Sequence, residues 1–272
     1  MPVSGAVRRR LLVLAIQLAI FAAVVAFWEI GSRVRLSEDR FLVDPFFFSR
    51  PSRILARDLE WLQDGTIAKH VLVTLYEAAG AFATGVVGGV VVGFLLGRSD
   101  FWASVFSPYI QVLNALPRLI FAPILILLLG LDERSKIALG FSLVFFIVFF
   151  NAFQGVRDVD RNVLDNARML GAGERQLARH VLLPSAMSWI LASLHTSVGF
   201  AMVGAVVGEY IGASRGIGYV ISQAEGNLDA TGVWAGMVVL SVVMVAVEVL
   251  VTQVERRLVR WKPGQAGDLL AA

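Results

Sequence analysis

Apolar runs long enough to cross a bilayer recur along this chain, separated by short charged intervals. Leu11 to Ile30 is the first, about twenty residues or about 30 Å of helix. Others run from about Val71 to Gly97, Phe106 to Gly130, Ile137 to about Phe153, Trp189 to Ile211 and Val233 to Val254. In hydrocarbon every backbone N–H and C=O must find its partner inside the segment, so each run is expected to be helical. Composition agrees: 57% of the 272 residues are hydrophobic and 17% charged, whereas soluble domains average about 45–50% and about 25%. Arg8-Arg9-Arg10 ahead of the first run resembles the start of a signal peptide. The run is longer than the about 7–15 residues of such a peptide's apolar core and lacks a small-x-small exit, so it reads as a retained span.

Two kinds of irregularity mark the runs. In the second, Ala81, Gly85, Gly89, Gly93 and Gly97 fall every fourth residue, and in the fifth Gly204, Gly208 and Gly212 do the same. Such spacing lines one helix face with residues that admit a neighbouring backbone. The third run is interrupted by Pro108, Pro117 and Pro123, which remove backbone donors, so it should kink. Asn114 and Arg118 lie at that interruption. Broken membrane helices commonly line cavities, which makes Asn114, Pro117, Arg118 and Glu209 candidates for a solute pathway. Snorkelling to an interface is the other reading of Arg118. Between the first and second runs, Arg53 to Leu62 suggests a short amphipathic helix lying on the surface.

The most informative interval is 156–184, charged and too polar to enter a bilayer, yet tethered at both ends to segments that must. Val159, Val163, Ala167 and Leu170 share a face of one short helix, with Asp158 or Asp160 as N-cap and a stop at Gly171 and Gly173. Leu177 and Val181 share a face of a second, which ends before Pro184.

This interval resembles the cytoplasmic signature of the permease subunits of bacterial ATP-binding-cassette (ABC) importers: Glu-Ala-Ala, three residues, Gly, nine residues, Ile, any residue, Leu-Pro. Asp165-Asn166-Ala167, Gly171, Val181 and Leu183-Pro184 stand at those spacings, with Asp in place of Glu and Asn in place of the first Ala. The turn Gly130 to Lys136 and the stretch Val207 to Tyr219 are similar to the nitrate, sulfonate, taurine and bicarbonate branch of that family. The resemblance implies an all-α integral membrane protein of about six spans, with N- and C-termini cytoplasmic and a coupling loop between spans 4 and 5. It would form one permease domain over 1–272, with residues 1–69 as first span and extracytoplasmic amphipathic segment, and 70–260 as the core. It further implies Asp165, Ala167, Arg168, Gly171, Ala172, Arg175, Leu177, Val181, Leu183 and Pro184 as ATPase-coupling residues, and Gly85, Gly89, Gly93, Gly204 and Gly208 as packing positions. The implied partners are a cytoplasmic ABC ATPase dimer, an extracytoplasmic solute-binding protein, a second permease copy and membrane lipid, in a bacterial inner membrane.

Of its own chemistry the chain offers little. No Walker A phosphate loop surrounds Lys69, Lys136 or Lys262, so ATP and Mg would belong to a partner. His70, His180 and His195 are scattered, and the absence of cysteine excludes disulfides and thiolate sites, so no metal site and no catalytic group is expected. Basic residues are dispersed at run ends, which argues for headgroup and loop charge rather than nucleic acid. Lys and Arg number thirteen on the implied cytoplasmic side and ten on the other, a weak bias. An ion-coupled secondary transporter stays open on Glu77, Glu209 and Glu248, although Glu77 also reads as a surface residue near a span end and Glu248 as a snorkelling one. A non-transporting membrane scaffold would account for the glycine faces only.

Overall fold

Close backbone contact between helices dominates the structure, a computed structural model describing residues 3–37 and 40–258. Arg260 and Lys262 of the tail, and the end of the 70–260 core, lie outside the described residues. The chain divides into two units, Met1–Ala68 with Val220–Val239, and Lys69–Tyr219 with Leu240–Ala272. Among the described residues five helical runs are long and apolar enough to cross a membrane, or six if one bent pair counts as a span.

The first unit starts with α1 (Val3–Gly31), whose apolar side chains from Leu11 to Ile30 are exposed around its circumference. A small antiparallel ribbon, β1 (Arg35–Ser37) with β2 (Arg40–Phe41), follows. Asp44 accepts the Phe46 amide to cap α2 (Pro45–Phe48), and α3 (Pro51–Gln63) begins on a proline, where a missing N–H costs nothing. The amphipathic helix expected at Arg53–Leu62 is thus α3. Ile54 and Asp58 point inward, while Leu55, Leu59 and Leu62 face out, as in a helix lying in an interface. Segment 44–63 is held to Asp229 and to the start of α12 (Ala230–Leu258) by Arg57–Asp229 at 2.8 Å, Ser49–Thr231 at 2.7 Å and the Trp234 indole donating to the Phe47 carbonyl at 3.1 Å. Although partial burial opposes it, the Gly232 amide and Arg57 hold the Asp229 carboxyl below the usual range.

The second unit contains most of α4 (Thr66–Gly97), the bent pair α5 (Asp100–Ala115) and α6 (Ala122–Leu129), then α7 (Glu133–Arg157) and α10 (Leu183–Gly212). The glycine stripe of α4 faces α7. A Cβ at Gly89 would lie 2.8 Å from the Phe145 carbonyl oxygen, and one at Gly93 2.6 Å from that of Phe149. Gly204 of α10 rests against Gly140 of α7, and Gly208 gives space to the stem of Lys136. Val144, Val148, Ala81, Ala201 and Ala205 fill the junction. The kink expected in the third run is a bend of 83° between α5 and the segment Arg118–Leu129. It falls at Leu116-Pro117. Pro108 stays inside α5, and Pro123 opens α6, where proline is tolerated.

Two outcomes are expected. Gly89→Val should cost at least about 1–3 kcal/mol, because the overpacked side chain meets backbone that cannot move aside, and it should read as a lower melting temperature and lower yield in detergent. Burial pushes the Asp58 carboxyl from 3.8 to about 6. The folded state therefore keeps a proton that the unfolded chain has released, and stability falls as pH rises between those values and stays level above them. Asp58→Asn should raise the melting temperature at about pH 7.5 and leave it nearly unchanged at about pH 3.5.

Candidate functional site

The charged interval between α7 and α10 folds onto the ends of those helices. Arg157, the last residue of α7, reaches Asp100 of α5 at 3.0 Å and lies over the Phe153 ring. Asp160 caps α8 (Arg161–Met169) by accepting the Asn162 amide at 2.8 Å. The helix stops at Gly171, whose φ of +85° lies in the left-handed region. The amides of Gly171 and Ala172 return to the carbonyls of Arg168 and Ala167. Gln176 accepts the Gly173 amide and starts α9 (Glu174–Leu177). Arg168 spans the turn between Asp165 at 3.4 Å and Glu174 at 3.5 Å. All three side chains are more than half exposed, so these pairs fix geometry more than stability.

Beneath the turn the packing is apolar. Leu182 joins Ala152, Val156, Ala186 and Ile190, with Val159 and Leu164 against them, and Leu177 is 2% exposed. A cavity of about 360 Å³ between the loop and the base of α7 is lined by Arg98, Asp100, Arg161, Asp165 and Arg168 among others.

Three expectations change here. The residues placed on one face by spacing differ in burial: Val163 and Leu170 are exposed, while Val159 packs inward together with Leu164, because α8 rolls its Val159–Leu164 side onto the cluster of Ala152 and Val156. The second short helix does not end before Pro184. It passes through a wider π-helical turn, Ala178–Leu182, straight into α10, with Pro184 in that helix's first turn. The wide turn precedes the proline and helps accommodate its missing donor and ring. Leu177 offers no docking surface because it is consumed in packing. Of the other coupling candidates, Asp165, Arg168, Gly171, Arg175, Leu183 and Pro184 are exposed, while Ala167, Ala172 and Val181 are half-buried. Sequence reading missed Met169 and Leu170, 80% and 89% exposed at the tip of the loop. The signal was present: two large apolar residues directly before a turn glycine in a charged segment.

The pathway candidates fall in two places. Asn114, Pro117 and Arg118 sit at the bend, where Arg118 donates to the Asn114 side chain and lies 4.6 Å over the Phe146 ring. Its Nε is buried without a partner. Glu209 lies elsewhere, near the end of α10, and is 1% exposed. It accepts the Gly218 amide at 2.8 Å, while Thr74 and His70 of α4 accept the Ile217 and Gly216 amides. Three consecutive donors at the start of α11 (Ile217–Gly226) are satisfied in this way. Glu77 is not the surface residue that its place near a span end allowed: it is 2% exposed. It precedes Ala81 by one helical turn and so shares the face that the glycines carry against α7. Glu248 bonds to His195 at 2.6 Å, with Glu255 at 3.3 Å on the other ring nitrogen.

Residues 85–260 match the model of the binding-protein-dependent transport system inner membrane component family. The chain belongs to this family. It is 32% identical to the putative aliphatic sulfonates transport permease protein of Bacillus subtilis, over 90% of this permease and 87% of that one. With the taurine transport system permease protein of Escherichia coli it shares 29% identity, over 81% and 82% of the two chains. A solved structure described as inward-facing conformations of the MetNI methionine ABC transporter superposes with a TM-score of 0.58 at 20% identity, covering 71% of this permease and 94% of that chain. The protein is therefore an ABC importer permease subunit of the bacterial inner membrane, a transport component rather than an enzyme. A secondary-transporter or scaffold reading does not account for this match.

The space around Gly171 is open, so only its backbone conformation resists substitution. Gly171→Ala should cost about 1–2 kcal/mol locally, seen as faster amide exchange in 168–178 without loss of the membrane helices.

Proposed function

We propose that this permease forms the translocation pathway for a small anionic solute of the sulfonate or taurine kind, delivered by an extracytoplasmic binding protein and driven by ATP hydrolysed, with Mg, on a separate ATPase dimer. The observation that carries the coupling half of this reading is the tip of the signature loop. Met169 and Leu170 stand exposed at the Gly171 turn, on a platform in which Leu177 is buried and Leu182 packs against Ala152 and Val156 of α7 and Ala186 and Ile190 of α10. An apolar knob in a segment that carries Arg168, Arg175 and Arg179 suits an apolar groove with acidic groups at its rim. Because the platform is continuous with α10 through the π-turn, a push on the loop reaches that span as a rigid body.

The substrate half rests on the names of the relatives and on Arg118. Nitrate, bicarbonate and aromatic acids are further members of the same anion class. The backbone at Leu116-Pro117 lacks helical partners, and such backbone is tolerated at membrane depth only against protein or water. A second copy of the chain opposite the bend would supply that surface, which makes a homodimer the expected assembly. With the bent pair counted as a sixth span and the signature loop taken as cytoplasmic, both termini are expected in the cytoplasm and α3 on the outer face.

Co-purification of the tagged permease with its ATPase tests the reading. Wild type should retain the ATPase; Met169→Glu with Leu170→Glu should lose it at least tenfold while inserting normally, since both side chains are exposed and support no packing. Gly171→Asp should weaken the complex as well. Retention by the Met169/Leu170 double variant would sink the assignment of the docking knob, and absence of any ATPase from wild type would sink the importer mechanism for this loop.

A further inference from the structure

The second unit has a charged cavity at each end of α7. The one at its start, of about 480 Å³ beside Glu77, Asp132 and Lys136, spends its buried polar groups internally. The Glu77 and Glu209 side chains hydrogen-bond to each other, and Lys136 donates to the carbonyls of Leu131 and Asp132 at 2.5 and 3.1 Å. The other, of about 360 Å³ under the signature loop, does not. Its wall carries four arginines and three acids, one positive charge in excess. The acids are committed: Asp100 to Arg157 at 3.0 Å, and Asp165 and Glu174 to Arg168 at 3.4 and 3.5 Å. Arg98 and Arg161 remain, both exposed and without an ion pair or side-chain hydrogen bond among the described residues. The apolar part of the wall includes Val159 and Leu164, half-buried against Val156 and Leu182. The depth of the cavity is set by the spans, since the membrane-crossing helices Thr66–Gly97 and Glu133–Arg157 both end on its wall. Beside it the start of α5 exposes Phe101 and Trp102, rings of the kind that membrane proteins keep at headgroup level.

We propose that this cavity seats the phosphate of an anionic phospholipid of the inner leaflet, held by Arg98 and Arg161, with the lipid's glycerol against Val159 and Leu164. The cytoplasmic side comes from the importer reading; the ATPase has no part in the binding. A guanidinium presents paired donors that match two phosphate oxygens, and a basic pocket between span ends at headgroup depth is a site that acidic lipids fill. A water-soluble phosphate would meet the same donors but would be held neither at this depth by acyl chains nor against the apolar wall. Arg98 directly follows α4 and Arg161 opens α8. One headgroup between them therefore ties the signature loop to α4, a helix that no ion pair of the loop reaches among the described residues. The volume is within the range of about 300–1,000 Å³ usual for small-molecule sites.

Native mass spectrometry of the full-length permease, released from nanodiscs of equal parts phosphatidylglycerol and phosphatidylcholine, tests this by the lipid that stays bound. An arginine at the membrane surface favours the anionic lipid by about fivefold, so wild type should retain phosphatidylglycerol over phosphatidylcholine by at least about that factor. Arg98→Gln with Arg161→Gln should bring the two lipids to equal retention; both side chains are exposed and support no packing, so the double variant should insert normally. Arg98→Lys with Arg161→Lys, which keeps the charge, should restore most of the preference. Arg134→Gln, at the opposite end of α7, should change nothing. No preference in wild type, or a preference that survives the double Gln variant, overturns the proposal. An equal loss in Arg134→Gln does so too, since it would mark surface charge in general. Displacement of the lipid by an excess of glycerol 3-phosphate would assign the site to a soluble phosphate and overturn the lipid as its occupant. The measurement uses the permease without ATPase, so failure of the coupling mechanism would show only in the co-purification and leave this result unaffected.

Discussion

The contact between small residues on α4, α7 and α10 is the constraint on which the second unit depends. Lipid is as apolar as leucine, so nothing drives these helices together except close packing and internal polar bonds. Glycine at 85, 89 and 93 brings α4 onto the backbone of α7, and Gly140 against Gly204 does the same for α7 and α10. Dispersion contacts that are individually small then accumulate along the seam. Phe141, Phe145, Phe149 and Phe153 stack along α7 beside this seam, with successive centroids 5.4 to 5.9 Å apart.

The seam ends in polar groups in one direction and in the signature loop in the other. Toward the start of α4 the same helical face continues through Glu77, Thr74 and His70; Thr74 and His70 accept the amides of Ile217 and Gly216, and Glu209 of α10 accepts that of Gly218. Toward the end of α7 it meets Val156 and Gly155, and there Ser185 of α10 donates to the Gly155 carbonyl. One close-packed rod thus links a charged cavity at one end to the exposed tip of the signature loop at the other. A permease needs such a link, because movement imposed on a surface loop is useful only if the element carrying it cannot deform.

Local rules predicted more of the helices than of the faces they bury. Periodicity and glycine spacing located the packing stripe of α4, and the three prolines located the broken run, because those are properties of a single helix. The π-turn at Ala178–Leu182 was not legible: whether a proline ends a helix or is absorbed depends on what the turn before it packs against. Spacing alone put Val163 and Leu170 on one face with Val159 and did not say which face is buried. In an eight- or nine-residue helix more than one face has apolar residues, and contact with α7 chose the Val159–Leu164 side.

The amino-acid sequence by itself determined that the chain spans a membrane as a set of helices, which charged stretch stays outside the bilayer, and where helices can approach closely. These follow from hydropathy, from the missing donor of proline and from the missing Cβ of glycine, and no neighbour is needed to state them. The tertiary structure alone decided that Glu77, Lys136 and Glu209 share one buried site, since they lie on three different helices. It also decided that Leu177 is structural while Met169 and Leu170 are presented. Burial is a relation between elements, and helix periodicity leaves that relation open until the elements have packed.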